Sequence, residues 1–162
     1  MQRWAGERAI PLLVAAASAA LLLGAYLSQH VGGLHPCPLC LIQRYPHFAV
    51  FGLGLVAALV AGGWVRIGLL ALCGLALLVS AGYGVYHAGV EQGWFASACA
   101  APMSGGTIEE IRAQVMDAPL TRCDEVPWSL IGVSLAGWNA IASVIMAGVA
   151  AFGAVRLWRA DT

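Results

Sequence analysis

The sequence predicts an all-α integral membrane protein, a four-helix transmembrane bundle with a short amphipathic surface helix in its second outer loop. Hydrophobic residues make up 60% of the 162 residues and charged residues only 10%, with no lysine, whereas soluble domains carry about 25% charged residues. Residues 10–29, 48–65, 67–86 and 126–155 contain no charge, and a spanning helix needs about 20 mostly apolar residues. The formal net charge of zero argues against a nucleic-acid partner, which requires clustered lysine and arginine.

These stretches divide the chain into four spans and two outer loops. We expect one membrane domain over residues 1–162, with spans at about 10–29, 44–63, 67–86 and 129–152 and outer loops at about 30–43 and 87–128. Gly62, Gly63 and Arg66 predict a tight turn between the second and third spans. The first apolar run is longer than the roughly 7–15 residues of a signal-peptide core, so we interpret it as a retained span.

The arginines predict the orientation of the bundle. Because the number of spans is even, both termini and the turn near Arg66 lie on one side. That side has five arginines and the other has three; the five are Arg3, Arg8, Arg66, Arg156 and Arg159. Cytoplasmic loops are enriched in positive charge, so we expect both termini in the cytoplasm.

The five cysteines separate into two outer pairs and one residue within a span. Cys37 and Cys40 lie near the start of the second span, and Cys99 and Cys123 lie in the second outer loop. Thiols outside the cytoplasm tend to be oxidised, so these four predict two pairs. Cys73 falls inside the third span and is interpreted as a small packing residue.

The first pair forms a Cys-x-x-Cys motif at a predicted helix start. The free N–H groups and positive dipole of a helix N-terminus stabilise a thiolate. Arg44 follows Cys40 by four residues and therefore lies on the same helical face; a snorkelling arginine is the alternative. The second alternative is a zinc site, although structural zinc usually takes another closely spaced ligand pair; its further ligands would come from His30, His35, His47 and His87.

The second outer loop contains its own helix signal. Thr107 and Glu110 have the spacing of a capping box. Ile108, Ile111 and Met116 then continue an apolar stripe at helical spacing. A surface helix here would hold Cys99 and Cys123 close to the bilayer, and a purely structural disulfide is the alternative role for that pair.

The layout resembles the disulfide bond formation protein B family of bacterial inner-membrane thiol oxidases. The resemblance covers nearly the whole chain: four spans, a Cys-x-x-Cys opening the second span, and two spaced cysteines in the second outer loop. Its local matches are Cys37-Pro38-Leu39-Cys40 with Arg44, Tyr86-His87 with Glu91, and Cys123 followed by Trp128 and Gly132.

The resemblance implies a disulfide-generating oxidoreductase in the bacterial inner membrane, with its cysteine loops in the periplasm. It would reoxidise a periplasmic DsbA-like thioredoxin-fold protein and pass the electrons to a membrane quinone, ubiquinone or menaquinone. Cys99 would form the mixed disulfide with the partner, and Cys123 would exchange with Cys37.

The resemblance also implies roles at the quinone. Cys40 would be the thiolate that meets the quinone ring, Arg44 would support it electrostatically, and His87 matches a position associated with the quinone pocket. No residue is assigned to a metal. The alternatives are a vitamin K epoxide reductase-like oxidoreductase, a non-enzymatic membrane protein with two structural disulfides, and a b-type cytochrome with histidine ligands.

Overall fold

The computed structural model describes residues 2–60, 63–96, 106–117 and 122–161. The described residues form six helices and one small hairpin. The helices are α1 (Gln2–His30), α2 (Pro38–Ile42), α3 (Arg44–Leu59), α4 (Gly63–Glu91), α5 (Ile108–Asp117) and α6 (Leu135–Asp161); the hairpin strands are β1 (Ser129–Leu130) and β2 (Val133–Ser134).

Four helical segments are long and apolar enough to cross a membrane: Glu7–His30, Pro38–Leu59, Gly63–Glu91 and Leu135–Ala160. The second of these joins α2 and α3. Large apolar side chains such as Leu13, Leu23 and Leu75 are about 60% exposed, as expected for helices whose outer surfaces contact lipid tails instead of water. The prediction of an all-α membrane bundle is confirmed.

The second span starts at the Cys-x-x-Cys motif, where a helix start was predicted and ahead of the approximate bound of residue 44, and it is interrupted. It begins at Pro38 instead of residue 44, because Pro38 occupies the first helical turn and Cys37 caps it. A turn at Gln43 separates α2 from α3. Pro46 has no N–H to donate to the carbonyl of Ile42, which explains a break at this point.

The fourth span, α6, starts at Leu135 and not at residue 129 as predicted. Residues 129–134 form a hairpin in which Leu130 pairs with Val133. Its turn residues, Ile131 and Gly132, have φ of 54° and 76°, the combination that a type I′ turn requires. Ser134 then caps α6 by accepting the Gly137 N–H at 3.1 Å.

Small residues allow the helices to approach closely. At Gly54, an added Cβ would lie 3.0 Å from the Pro11 carbonyl oxygen of α1, and at Gly84 it would lie 3.0 Å from the Ala136 carbonyl oxygen of α6. The central core includes Val50, Leu70, Leu77 and Met146, and it contains Cys73 with no exposed surface. The prediction that Cys73 is a packing residue is thus confirmed.

Arg66 is buried at the opposite end of the bundle from the cysteine motif. Its Nε donates to the Ala57 carbonyl at 3.0 Å, and its Nη2 donates to the Val60 carbonyl. Nη1 forms an ion pair with Glu7 of α1 at 2.8 Å. One guanidinium therefore satisfies carbonyl groups that the C-terminus of α3 leaves unpaired and joins α4 to α1.

Helix α5 confirms the short helix predicted in the loop between the third and fourth spans, and its position on the membrane surface stays a prediction. Thr107 Oγ1 accepts the Glu110 N–H at 3.3 Å, and Glu110 accepts the Thr107 N–H at 2.8 Å, which is the predicted capping box. Cys99, the other predicted feature of this loop, lies outside the described residues.

Candidate thiol–disulfide site

Cys37 and Cys40 meet at the N-terminus of α2. Cys37 is the N-cap, and its sulfur accepts the Cys40 backbone N–H at 3.3 Å. Both thiols are free, and their Sγ atoms lie 3.0 Å apart, well beyond the roughly 2.05 Å of a disulfide bond. The structure thus holds this pair as a dithiol in direct contact.

His87 of α4 contacts the same sulfur. Its Nε2 atom lies 3.5 Å from Cys37 Sγ, and its Nδ1 atom lies 2.8 Å from the side-chain amide nitrogen of Gln43. Both His87 and Cys37 are buried. The Cys37 sulfur is therefore surrounded by hydrogen-bonding groups from two helices.

This environment favours a thiolate at Cys37. The hydrogen bond with the Cys40 thiol lowers the pKa of Cys37 most. Burial raises this pKa, whereas the hydrogen bonds with His87 and the Cys40 backbone lower it further. Together they lower the pKa of Cys37 from 9.0 to about 4. The sequence led us to expect the stabilised thiolate at Cys40, whereas in this dithiol state the helix cap and His87 both act on Cys37.

Cys123 brings the second outer loop to this point. It is fully buried and disulfide-bonded. Its Sγ lies within 4.8 Å of both the Cys37 sulfur and a ring nitrogen of His87. Cys40 and Cys123 are 83 residues apart in the sequence. The two segments that carry the cysteines therefore meet in one buried cluster.

The same three residues also have the spacing of a partial metal site. Cys37, His87 and Cys123 each offer one ligand atom, all within 4.8 Å of one another. A zinc ion binds the thiolate form of cysteine, and the sulfur of Cys123 is held in a disulfide bond. The bonding state of Cys123 favours thiol–disulfide chemistry over zinc.

A cavity of about 600 Å³ lies beside the dithiol and has Cys40 in its wall. Its lining is mostly apolar and comes largely from α1 and α6, with Leu21, Leu22 and Trp138 among the contributors. Arg44 and His87 also line it. Arg44 donates to Gln29 at 2.9 Å and lies 4.9 Å from the centre of the Tyr26 ring, so its guanidinium is held on the α1 side of the cavity.

Glu91 lies one helical turn beyond His87. Its Oε1 is 3.9 Å from His87 Nε2, and its side chain is only 3% exposed. Its Oε2 is buried and has no hydrogen-bond partner among the described residues. A carboxyl group that is buried with an unpaired oxygen is costly, which makes Glu91 an unusual neighbour for a thiol pair.

Comparison with known proteins agrees with this geometry. A family model described as "Disulfide bond formation protein DsbB" matches residues 7–153. This chain belongs to the disulfide bond formation protein B family.

Several proteins named "Disulfide bond formation protein B" are similar to it. The one from Verminephrobacter eiseniae (strain EF01-2) is 36% identical over 148 residues, covering 82% of this chain and 77% of the relative. The one from Marinobacter nauticus is 36% identical over 139 residues and covers 80% of each chain. The one from Polaromonas sp. (strain JS666) is 30% identical over 166 residues and covers 94% of this chain and 93% of the relative. No solved structure matches this chain.

Membership of the disulfide bond formation protein B family, together with the four spanning segments, makes the chain a multi-pass membrane protein and a disulfide-forming oxidoreductase. It favours this activity over the vitamin K epoxide reductase-like, cytochrome and non-enzymatic alternatives. Of the predicted site residues, Cys37, Cys40, His87 and Cys123 come together, and Arg44 lies across the adjoining cavity.

The sequence did not point to Gln43 or Asn139, and it suggested His47 only as a possible zinc ligand. Gln43, His47 and Asn139 form a buried chain behind His87, with Gln43 bonded to Asn139 at 2.8 Å and Asn139 bonded to His47 at 2.9 Å. A polar residue within an apolar span is itself a functional signal. The helical spacing of Gln43 and His47, four residues apart, indicated one shared face.

Proposed function

We propose that this protein reoxidises a periplasmic DsbA-like thioredoxin-fold protein and passes the electrons to a membrane quinone, ubiquinone or menaquinone. The observation that carries the proposal is the position of the Cys37–Cys40 dithiol. It lies between the disulfide-bonded Cys123 and a largely apolar cavity whose wall includes Cys40.

The first exchange involves the second outer loop. A thiolate of the reduced partner attacks Cys99 of a Cys99–Cys123 disulfide, forms a mixed disulfide with Cys99, and leaves Cys123 as a thiolate. The second partner thiol then displaces Cys99, so the partner leaves with a disulfide bond. The loop has gained two electrons and is now a dithiol.

The second exchange moves these electrons to the helix start. The Cys123 thiolate attacks Cys37 of a Cys37–Cys40 disulfide and releases Cys40 as a thiolate. Cys99 then attacks Cys123, which restores the loop disulfide and releases Cys37. The products are a free Cys37 and Cys40 pair and a bonded Cys123, which is the combination present in this structure.

The cavity fits a lipid-soluble quinone. Its volume of about 600 Å³ is within the usual range of ligand pockets, and its mostly apolar lining with a few polar groups is typical of them. Cys40 is the sulfur that faces it, and its polar lining includes Arg44, His87, Gln43, His47 and Asn139. A bound quinone would supply an acceptor for two electrons and two protons, returning Cys37 and Cys40 to a disulfide.

We further propose that both termini are cytoplasmic and that the cysteine loops face the periplasm of a bacterium, with the protein in the inner membrane. The five-to-three distribution of arginines supports this orientation. The periplasm is also the compartment in which the two cysteine pairs can be oxidised.

The test is quinone reduction by a reduced DsbA-like protein, followed by quinone absorbance, with the purified full chain in lipid nanodiscs. Cys40→Ala and Cys99→Ala should each abolish turnover. Cys73→Ala is the matched control, because Cys73 lies in the central core among apolar residues, and it should retain the wild-type rate. Turnover that survives both of the first two substitutions would refute the proposed function.

A further inference from the structure

A chain of buried and half-buried hydrogen bonds leads to the Cys37 sulfur along the wall of the cavity. It passes through Ser18 of α1, His47 of α3, Asn139 of α6, Gln43 between α2 and α3, and His87 of α4. All four spanning segments contribute to it. Each buried polar group restricts the orientation of the next. The chain therefore determines which ring nitrogen of His87 carries a hydrogen.

The orientation of the Gln43 amide is fixed by its neighbours. Its Oε1 accepts from Asn139 Nδ2 at 2.8 Å, and its Nε2 donates to the Leu39 carbonyl at 3.2 Å. Rotating the amide by half a turn would direct Nε2 at another NH₂ group and Oε1 at a carbonyl, and both contacts would be repulsive. The Gln43 NH₂ group therefore faces His87.

Asn139 is oriented in the same way. Its Oδ1 lies 2.9 Å from His47 Nε2, and its Nδ2 donates to Ser80 Oγ at 3.2 Å as well as to Gln43. His47 Nδ1 lies 3.5 Å from the Ser18 hydroxyl, which can donate to it. The hydroxyls of Ser80 and Ser143 also lie 3.2 and 3.4 Å from His47 Nε2, and both can accept a hydrogen bond from it. With the proton of His47 on Nε2, every donor along the chain points toward His87.

The consequence for His87 is a single tautomer. Gln43 Nε2 lies 2.8 Å from His87 Nδ1, so Nδ1 must be an unprotonated acceptor and Nε2 must carry the hydrogen. Nε2 is the atom that lies 3.5 Å from Cys37 Sγ. We infer that Gln43, held by Asn139, is a positioning residue that fixes His87 as the neutral Nε2–H tautomer and directs this N–H at the Cys37 sulfur.

This inference deepens the proposed function and rests on it for its role in turnover. When Cys99 attacks the Cys123 sulfur of a Cys37–Cys123 disulfide, the electron pair of the broken bond remains on Cys37. His87 then donates a hydrogen bond to that sulfur, and no proton leaves the imidazole. Among the described residues, the other ionisable groups facing Cys37 or His87 are Cys40 and Glu91, while Cys123 is held in its disulfide. His87 is also hydrogen-bonded to the Cys123 backbone, so its N–H is shared between that group and the Cys37 sulfur.

The test is ¹⁵N NMR of the histidine-labelled full chain in nanodiscs, at about pH 8, where an ordinary imidazole is neutral. The His87 signals are those lost in His87→Phe. In the wild type they should report a protonated Nε2 and an unprotonated Nδ1. In Gln43→Glu, a carboxylate facing Nδ1 should move the proton onto Nδ1. Gln92→Glu, which adds the same charge at an exposed position, should leave the signals unchanged.

A second measurement, the pH dependence of alkylation, reports on the Cys37 sulfur. Gln43→Leu removes the donor to Nδ1 and leaves His87 free to rotate away from Cys37. The pH midpoint for alkylation of Cys37 should then rise by about one unit, the size expected for losing one hydrogen bond to the Cys37 thiolate. Asn139→Leu should shift it in the same direction by less.

A wild-type His87 with a hydrogen on Nδ1, either as the Nδ1–H tautomer or as the imidazolium, would overturn the inference, and so would a Gln43→Glu protein with unchanged His87 signals. The wild-type spectrum alone is decisive if Gln43→Glu does not fold. Because the NMR measurement needs neither partner nor quinone, a protein that fails to reduce quinone but has the Nε2–H tautomer would refute the proposed function and leave the inference standing.

Discussion

The Nε2 atom of His87 lies 3.5 Å from the sulfur of Cys37, and both side chains are buried. The two residues are fifty positions apart, so this contact exists only because α4 packs beside the start of α2. A short helix such as α2 offers few N–H groups to a thiolate. The contact with His87 gives the Cys37 sulfur a hydrogen-bond donor that the motif itself does not contain.

The first prediction concerns the reactivity of Cys37 in the reduced protein. Because the Cys40 thiol, the helix cap and His87 hold the pKa of Cys37 well below its usual value of 9.0, alkylation by iodoacetamide should stay nearly constant as the pH falls from about 9 through neutral and should decline only at acidic pH. By linkage, the thiolate stabilises the fold most above the unfolded pKa, and this contribution is lost as the pH falls through the folded value.

Peptide-resolved mass spectrometry measures this profile. His87→Phe should raise the midpoint, because it removes a donor to the thiolate. His30→Phe, at an exposed position, is the control and should leave the profile unchanged. A wild-type midpoint near the pKa of an ordinary thiol would contradict the structure.

The second prediction concerns the contact between α4 and α6. A Cβ at Gly84 would lie 3.0 Å from the Ala136 carbonyl oxygen and the Ala140 Cβ, whereas a Cβ at Gly82 would meet nothing within 4 Å. Gly84→Ala should therefore destabilise the bundle by about 1–3 kcal/mol, the usual cost of overpacking. Gly82→Ala, in the same helix, should be neutral or slightly stabilising.

Thermal unfolding in detergent compares these two variants directly. Equal melting temperatures for Gly84→Ala and Gly82→Ala would show that α4 and α6 do not pack as closely as the structure has them.

The third prediction concerns Arg66. Replacing it with methionine leaves the Ala57 and Val60 carbonyls without their buried donor and Glu7 without its partner. We expect a loss of about 1–3 kcal/mol for each carbonyl that is left buried without a donor. Glu7→Gln should cost less, because the Glu7 side chain is 40% exposed and surface pairs contribute little.

Equilibrium unfolding of the three proteins provides the measurement. Arg156→Met is the matched control, since Arg156 is exposed near the end of α6. If Arg66→Met were no less stable than Arg156→Met, the bonds of Arg66 would have no structural role.

The sequence predicted the fold well because composition and hydrophobic length determine the membrane spans. The capping box of Thr107 and the packing role of Cys73 were also readable from local patterns. The start of α6 at Leu135 could not be predicted in this way, because the stretch from residue 129 is apolar enough to belong to the helix. The conformation of Ile131 and Gly132 breaks it there, and hydropathy carries no information on such a turn.

The site was only partly predictable for a different reason. The Cys-x-x-Cys spacing identifies Cys37 and Cys40 as a candidate redox pair. The preference for a thiolate at Cys37, however, depends on which of the two sulfurs caps α2 and which of them contacts His87. Likewise, Gln43 and Asn139 are 96 residues apart in the chain. Only the packing of α6 against the second span brings their amides together.

The proposed function depends most on electron transfer between the two cysteine pairs through a Cys37–Cys123 disulfide bond. The most direct measurement is disulfide mapping by mass spectrometry of the oxidised Cys40→Ala/Cys99→Ala double variant, which retains one cysteine of each pair. Because their sulfurs lie within 4.8 Å, the account predicts a Cys37–Cys123 disulfide in most molecules. In Cys37→Ala/Cys99→Ala, the control, Cys123 should remain mostly unpaired. Free thiols at both Cys37 and Cys123 in the first variant would contradict the account.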